Sequence, residues 1–156
     1  MKLSSTGLEA GLHKMVSDKQ AHIAQMQAHH SLQRAWGYKK LAKQTKGRID
    51  DERDHLKSTL HYMTQRGVTP KMDRGTVSIG TDIPAQLAND LANEVRFVAD
   101  LNDILSAART AGEDSFRRMV EHVVKDNEQH VADLEAQLNL IKTMGLPNYL
   151  AKASKV

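Results

Sequence analysis

Two short phrases hold residues that could bind metal. "IDDERDH" at 49–55 contains Glu52-x-x-His55, and "KDNEQHVADLE" at 125–135 contains Asn127-x-x-His130. A Glu and a His three residues apart share one helix face, so both can reach a single ion. Two such pairs on two helices, with one Glu from each of two more helices, make the ligand set of carboxylate-bridged di-metal bundles. The carboxylates cancel the charge of the two ions, two of them bridge, and each imidazole completes one ion. In this chain the second pair is broken, because Asn127 stands where a Glu would complete it.

Four stretches with an apolar period of three to four residues could carry such a site. The first runs from about Ser5 to Ala35, the second from about Lys39 to Arg66, the third from Asp82 to about Ala111, and the fourth from about Asp114 to Met144. Gly37, Gly67, Gly112 and Gly145 bound them, and Asp82 with Pro84 opens the third. "LPNYLAKAS" is expected to add a short fifth helix. The few residues between helices one and two, and between three and four, make each pair antiparallel. The segment "VTPKMDRGTVSIGT" between two and three is long enough to cross the whole bundle. About 14 extended residues reach roughly 46 Å, against roughly 42 Å for a helix of about 28 residues. The expected fold is therefore all-α, two helical hairpins joined by one full-length crossover, in a single domain over 1–156.

Extending each stripe through its gaps places polar residues on the inner faces. Helix one steps 8, 12, 15, 19, 23, 26 and so carries Lys19 inward; helix two brings Glu52 and His55. Helix three steps 87, 91, 94, 98, 101, 105 and brings Glu94, and helix four brings Asn127 and His130. Each lies near the middle of its helix, where antiparallel helices meet at one level. Burying them is costly unless they pair with one another or with an ion. The charge balance is poor for two ions. With neutral imidazoles, Glu52, Glu94 and Lys19 leave one negative charge, too little for two divalent cations. Lys19 would also place its ammonium where an ion should sit, and it could pair with either carboxylate. One ion held by Glu52, His55 and Glu94, with His130, stays open.

The 156 residues suit one domain, with 40% hydrophobic and only 4% aromatic residues. The absence of cysteine excludes disulfides and iron–sulfur clusters and fits a cytoplasmic protein. No apolar run approaches the roughly 20 residues of a membrane span, and the N-terminal stretch has no apolar leader core. The formal charge of +3 is spread along the helices, which argues for solvated faces and against a nucleic-acid partner. His13, His22, His29, His30, His61 and His122 read as surface or packing residues.

Three phrases give the chain a family resemblance. "WGYKKLA" at 36–42, "SIGTDIPAQLANDLANEV" at 78–95 and "VADLEAQLNLIKTMGLPNYL" at 131–150 resemble bacterioferritin, and the likeness extends over nearly the whole chain. It implies a ferritin-like bundle in a cage of twenty-four subunits that stores a ferric mineral, with Fe(II) oxidised at a di-iron centre in each bundle. On that pattern Glu52, His55, Glu94 and His130 match ligands, while Lys19 and Asn127 replace two carboxylates. The family's haem is held by a Met directly after the second-helix Glu, and here that position is Arg53. The expectation is an iron-storage cage subunit with a degenerate ferroxidase centre. It would bind iron weakly or as a single ion and lack haem in a homo-oligomer. It would co-assemble with a catalytic bacterioferritin subunit. The alternative is an active ferroxidase with an unorthodox site. Asp50, Asp51 and Asp54 are the candidate acids for the mineral-facing surface.

Overall fold

A computed structural model describes residues 2–3, 5–73 and 75–155. Five helices follow in order: α1 (Thr6–Ala35), α2 (Lys39–Gln65), α3 (Ile83–Thr110), α4 (Asp114–Met144) and α5 (Leu146–Ala153). Their ends have local causes. The Ser5 hydroxyl accepts from the Leu8 amide and caps α1, and Asp82 accepts from the Ala85 amide to cap α3. Gly112 turns α3 into α4 at φ 71°, a conformation that a side chain disfavours.

α1 lies between α2 and α3, and α4 packs on α3. α2 and α4 approach each other only sparsely, which leaves a cleft between them. The connection from α2 to α3 contains no helix or strand among its described residues, and it runs back along α1. Ser78 and Gly80 donate their amides to Gln25 and His29 of α1, both at 2.9 Å. At Gly80 the chain passes so close to α3 that a Cβ would fall 2.3 Å from the Gln86 nitrogen.

The core has two apolar clusters. The larger includes Leu8, Leu12, Met26, Met63, Phe97, Leu101 and Val120, and Tyr62 stacks on Phe116 within it at 3.8 Å. The smaller gathers Leu41, Ile83, Leu87, Leu134 and Tyr149 near α5. Buried polar side chains, Gln25, Gln33, Thr45, Gln86 and Asp90 among them, belong to neither cluster. The inner face of α3 differs from the expected stripe. Leu91, Val98 and Leu105 are only partly buried, whereas Gln86, Asp90, Asn93, Phe97 and Ile104 face inward. α3 meets α1 on one side and α4 on the other, so its buried arc is wider than one stripe and includes polar positions that a hydrophobic count passes over.

Candidate metal centre

All six inward residues expected from the sequence meet at mid-bundle. Lys19, Glu52, Glu94, Asn127 and His130 are almost wholly buried, and His55 is 6% exposed. α1 supplies Lys19, α2 Glu52 and His55, α3 Glu94, and α4 Asn127 and His130.

The Lys19 ammonium donates to Glu52 Oε2 and to Asn127 Oδ1 at 2.9 Å. It also lies 4.5 Å from the centroid of the Phe97 ring. The Asn127 amide nitrogen donates to Glu52 Oε1 at 2.5 Å and to Glu94 Oε2 at 2.6 Å. A carboxylate at position 127 could make neither of these bonds, because it has no donor. One side chain thus uses its carbonyl on the cation and both N–H bonds on the two anions.

Each histidine of the centre spans from its interior to a peripheral aspartate. His130 Nδ1 lies 3.3 Å from Glu94 Oε1 and 3.4 Å from Glu52 Oε1, while its Nε2 donates to Asp51 at 2.8 Å. His55 Nδ1 lies 3.6 Å from Glu52 Oε2 without a hydrogen bond, and its Nε2 donates to Asp126 at 2.7 Å. An aspartate on the outer nitrogen fixes each ring with Nδ1 turned inward, the arrangement that orients metal-ligating histidines.

Protonation completes the balance. Burial pushes the Glu52 carboxyl up, but Lys19, with His130 and His55, outweighs it and holds the group well below the ordinary carboxylate value. Burial and the charge of Glu52 raise Glu94, yet its bonds to His130 and His22 bring it down to about 2. Burial lowers His130, and its bonds to Glu52, Glu94 and Asp51 raise it to about 10. This corrects the neutral imidazole assumed in the sequence charge count. At neutral pH two carboxylates face one ammonium and one imidazolium.

Sequence reasoning missed His22. Its Nε2 donates to Glu94 Oε1 at 3.0 Å, its Nδ1 accepts from Asn93 at 3.0 Å, and its ring meets Phe97 edge-on. A second polar layer was missed beside it. Gln25 donates to Asp90 at 2.9 Å, His29 Nδ1 lies 3.0 Å from the same oxygen, and Thr45 joins Gln33, which donates to Gln86. The available signal was the spacing. His22, Gln25, His29 and Gln33 step by three and four along α1, opposite Gln86, Asp90 and Asn93 on α3.

Glu52, Glu94 and His130 could present ligand atoms all within 4.8 Å of one another. His55 lies outside that group. Above the centre opens the α2–α4 cleft of about 500 Å³, lined in part by Arg48, Asp51, Asp126, His130 and Asp133. Of the expected surface acids, Asp51 lines it, and Asp50 pairs instead with Lys46 at 2.9 Å. Arg53 is exposed on the other side of α2, in a groove against α1. No helix among the described residues is long and apolar enough to cross a membrane.

The comparisons with known proteins agree with this architecture. The Ferritin family, described as a ferritin-like domain, matches residues 9–144. The bacterial ferritin of Neisseria gonorrhoeae is 30% identical over 139 residues, spanning 88% of this chain and 90% of that protein. The bacterial ferritin of Synechocystis is 27% identical over 143 residues, 90% of this chain and 92% of its own. The bacterioferritin of Mycobacterium avium is 26% identical over 142 residues, 90% of this chain and 89% of its own. The family match takes in nearly all of the four long helices and every residue of the centre, and this chain therefore belongs to the ferritin family, as a bacterioferritin-like member.

Proposed function

We propose that this chain is an iron-storage subunit whose central site is closed by its own cation, and that it serves as an accessory subunit beside a catalytic ferritin. The observation that carries this reading is the buried Lys19 ammonium, held by Glu52 and Asn127. With the imidazolium of His130, it supplies two positive charges, which balance the carboxylates of Glu52 and Glu94 without an ion. The Asn127 amide bridges Glu52 and Glu94 as a shared ion would. Fe(II), the substrate of such a centre, would have to displace the ammonium and a proton together. Oxidation would then fall to a partner subunit, and this chain would contribute shell and inner surface. The cage is proposed to be the family's assembly of twenty-four. Arg53, in place of the haem-ligating Met, leaves no axial sulfur on this chain's side of a haem site.

A second reading has one observation in its favour. Glu52, Glu94 and His130 can converge on one point, and the orphaned Nδ1 of His55 faces Glu52. These donors suit one ion better than two, so an unorthodox ferroxidase would begin from mononuclear Fe(II). Aerobic Fe(II) oxidation by the purified chain separates the two readings. A trace matching the protein-free blank, accelerated only when a catalytic ferritin subunit is co-assembled, fits the accessory role. A rapid burst by this chain alone overturns it.

A further inference from the structure

The centre has two halves, set by the two oxygens of Glu52. Oε2 faces the Lys19 ammonium and His55 Nδ1. Oε1 faces the Asn127 amide nitrogen and His130 Nδ1, and Glu94 bonds the same Asn127 nitrogen from the other side. Glu52, Glu94 and His130 are the three residues whose ligand atoms converge, so the Oε1 half is where one ion can be held. His22 of α1 lies outside that group but touches it, with Nε2 3.0 Å from Glu94 Oε1. It is 1% exposed, and its ring is held edge-on against Phe97.

The crossover decides which His22 nitrogen carries the hydrogen. The Ser78 backbone amide can only donate, so the Gln25 side-chain oxygen must face it, at 2.9 Å. The same oxygen lies 3.3 Å from the Asn93 side-chain nitrogen. Asn93 therefore gives one amide hydrogen to Gln25 and the other to His22 Nδ1 at 3.0 Å, while its own oxygen accepts from Arg96 at 2.9 Å. His22 Nδ1 is thus an acceptor, and the ring hydrogen sits on Nε2, pointing at Glu94. A nitrogen that carries a hydrogen is not a metal ligand, so His22 acts on Glu94 and not on an ion.

Three groups bond Glu94: His22 and His130 at Oε1, and Asn127 at Oε2. An ion on Glu52, Glu94 and His130 would take His130 Nδ1 as a ligand and replace the Asn127 N–H bonds. His22 alone of the three can stay where it is. We infer that His22 is a positioning residue for a single ion: its N–H holds Glu94 Oε1 so that the carboxylate faces the point shared with Glu52 and His130. Through Gln25 and Asn93 the crossover keeps that N–H in place. The inference rests on the reading of Glu52, Glu94 and His130 as a one-ion site.

The test is an anaerobic Co(II) titration followed by visible absorption, on the unaltered chain and on Lys19→Glu/Asn127→Glu, each combined with His22→Leu or His22→Gln. Leu fills the space without a donor, whereas Gln brings an amide N–H close to the place of Nε2. In the unaltered chain His22→Leu should weaken the single ion by about 10–100-fold, the usual cost of losing a partner that orients a ligand. In Lys19→Glu/Asn127→Glu it should weaken the ion on Glu94 and leave the one on the His55 side unchanged. His22→Gln should return most of the loss in both. If circular dichroism shows His22→Leu unfolded, Asn93→Ala removes the donor to Nδ1 instead and should show the same one-ion weakening. Co(II) bound as tightly by the Leu chain as by its parent overturns the inference. So does equal weakening of both ions, the mark of a loosened bundle, and so does a Gln chain no better than the Leu chain. Failure of the one-ion reading shows separately: the unaltered chain then binds no Co(II) at the centre, while Lys19→Glu/Asn127→Glu still reports on His22. Absence of Co(II) binding by both chains overturns the inference as well.

Discussion

Replacing Lys19 with Met keeps the length and much of the packing of the side chain but removes its charge. In the native bundle the ammonium serves Glu52 and Asn127 at once, inside a core closed to water. Without it Glu52 is left buried beside Glu94, with the Asn127 amide and His130 to answer both. Removing one partner of a buried ion pair costs about 3–5 kcal/mol. For a chain of this size each kcal/mol shifts Tm by about 2–4 °C, so the variant should melt about 6–20 °C lower. Adding Glu52→Gln removes the orphaned charge and should return most of the loss, since replacing both members of a buried pair is often nearly neutral. Urea unfolding followed by far-ultraviolet circular dichroism, in chelated buffer at pH 7, measures both variants. A Lys19→Met chain within about 0.5 kcal/mol of the original, the range of ordinary surface changes, refutes the idea that the ammonium holds the centre together.

Three further outcomes follow from the same geometry. His130 is raised from its ordinary value of 6.5 to about 10, so its contribution is complete below pH 6.5 and is lost as pH rises towards 10. Glu94 is lowered from 4.5 to about 2, so its contribution is present above pH 4.5 and is lost as pH falls towards 2. The metal-free chain should therefore be most stable between these limits, and His130→Gln should flatten the alkaline limb in urea midpoints taken across pH. Gly80→Ala would set a Cβ 2.3 Å from the Gln86 nitrogen, a backbone atom that cannot turn aside. It should cost about 1–3 kcal/mol in urea unfolding and speed hydrogen exchange at Ser78 and Gly80; unchanged exchange there would show that the crossover is held by other means.

The fold was readable because the helix ends are marked by residues with few alternatives. Ser5 and Asp82 cap α1 and α3, and glycines at 37, 67, 112 and 145 all adopt positive φ. The site was readable because Lys19, Glu52, Glu94 and Asn127 interrupt apolar stripes at matching levels. Its chemistry was only partly readable. Whether the His130 imidazole is charged depends on three carboxylates from two other helices, which no spacing within α4 encodes. His22 and the Gln25–Asp90 layer escaped for a related reason. α1 is covered by α2, α3 and the crossover, so its buried arc extends beyond its apolar stripe. Polar residues there look like a solvated face until their partners on α3 are known.

The most direct test of the closed centre is an anaerobic titration with Co(II), a spectroscopic stand-in for Fe(II), comparing the original chain with Lys19→Glu/Asn127→Glu. The variant restores two carboxylates and should take up about two ions per chain, as carboxylate di-metal bundles do. The original chain should bind at most one at the centre, with release of a proton as His130 gives up its charge. Two ions bound tightly per original chain would contradict the claim that Lys19 closes the site.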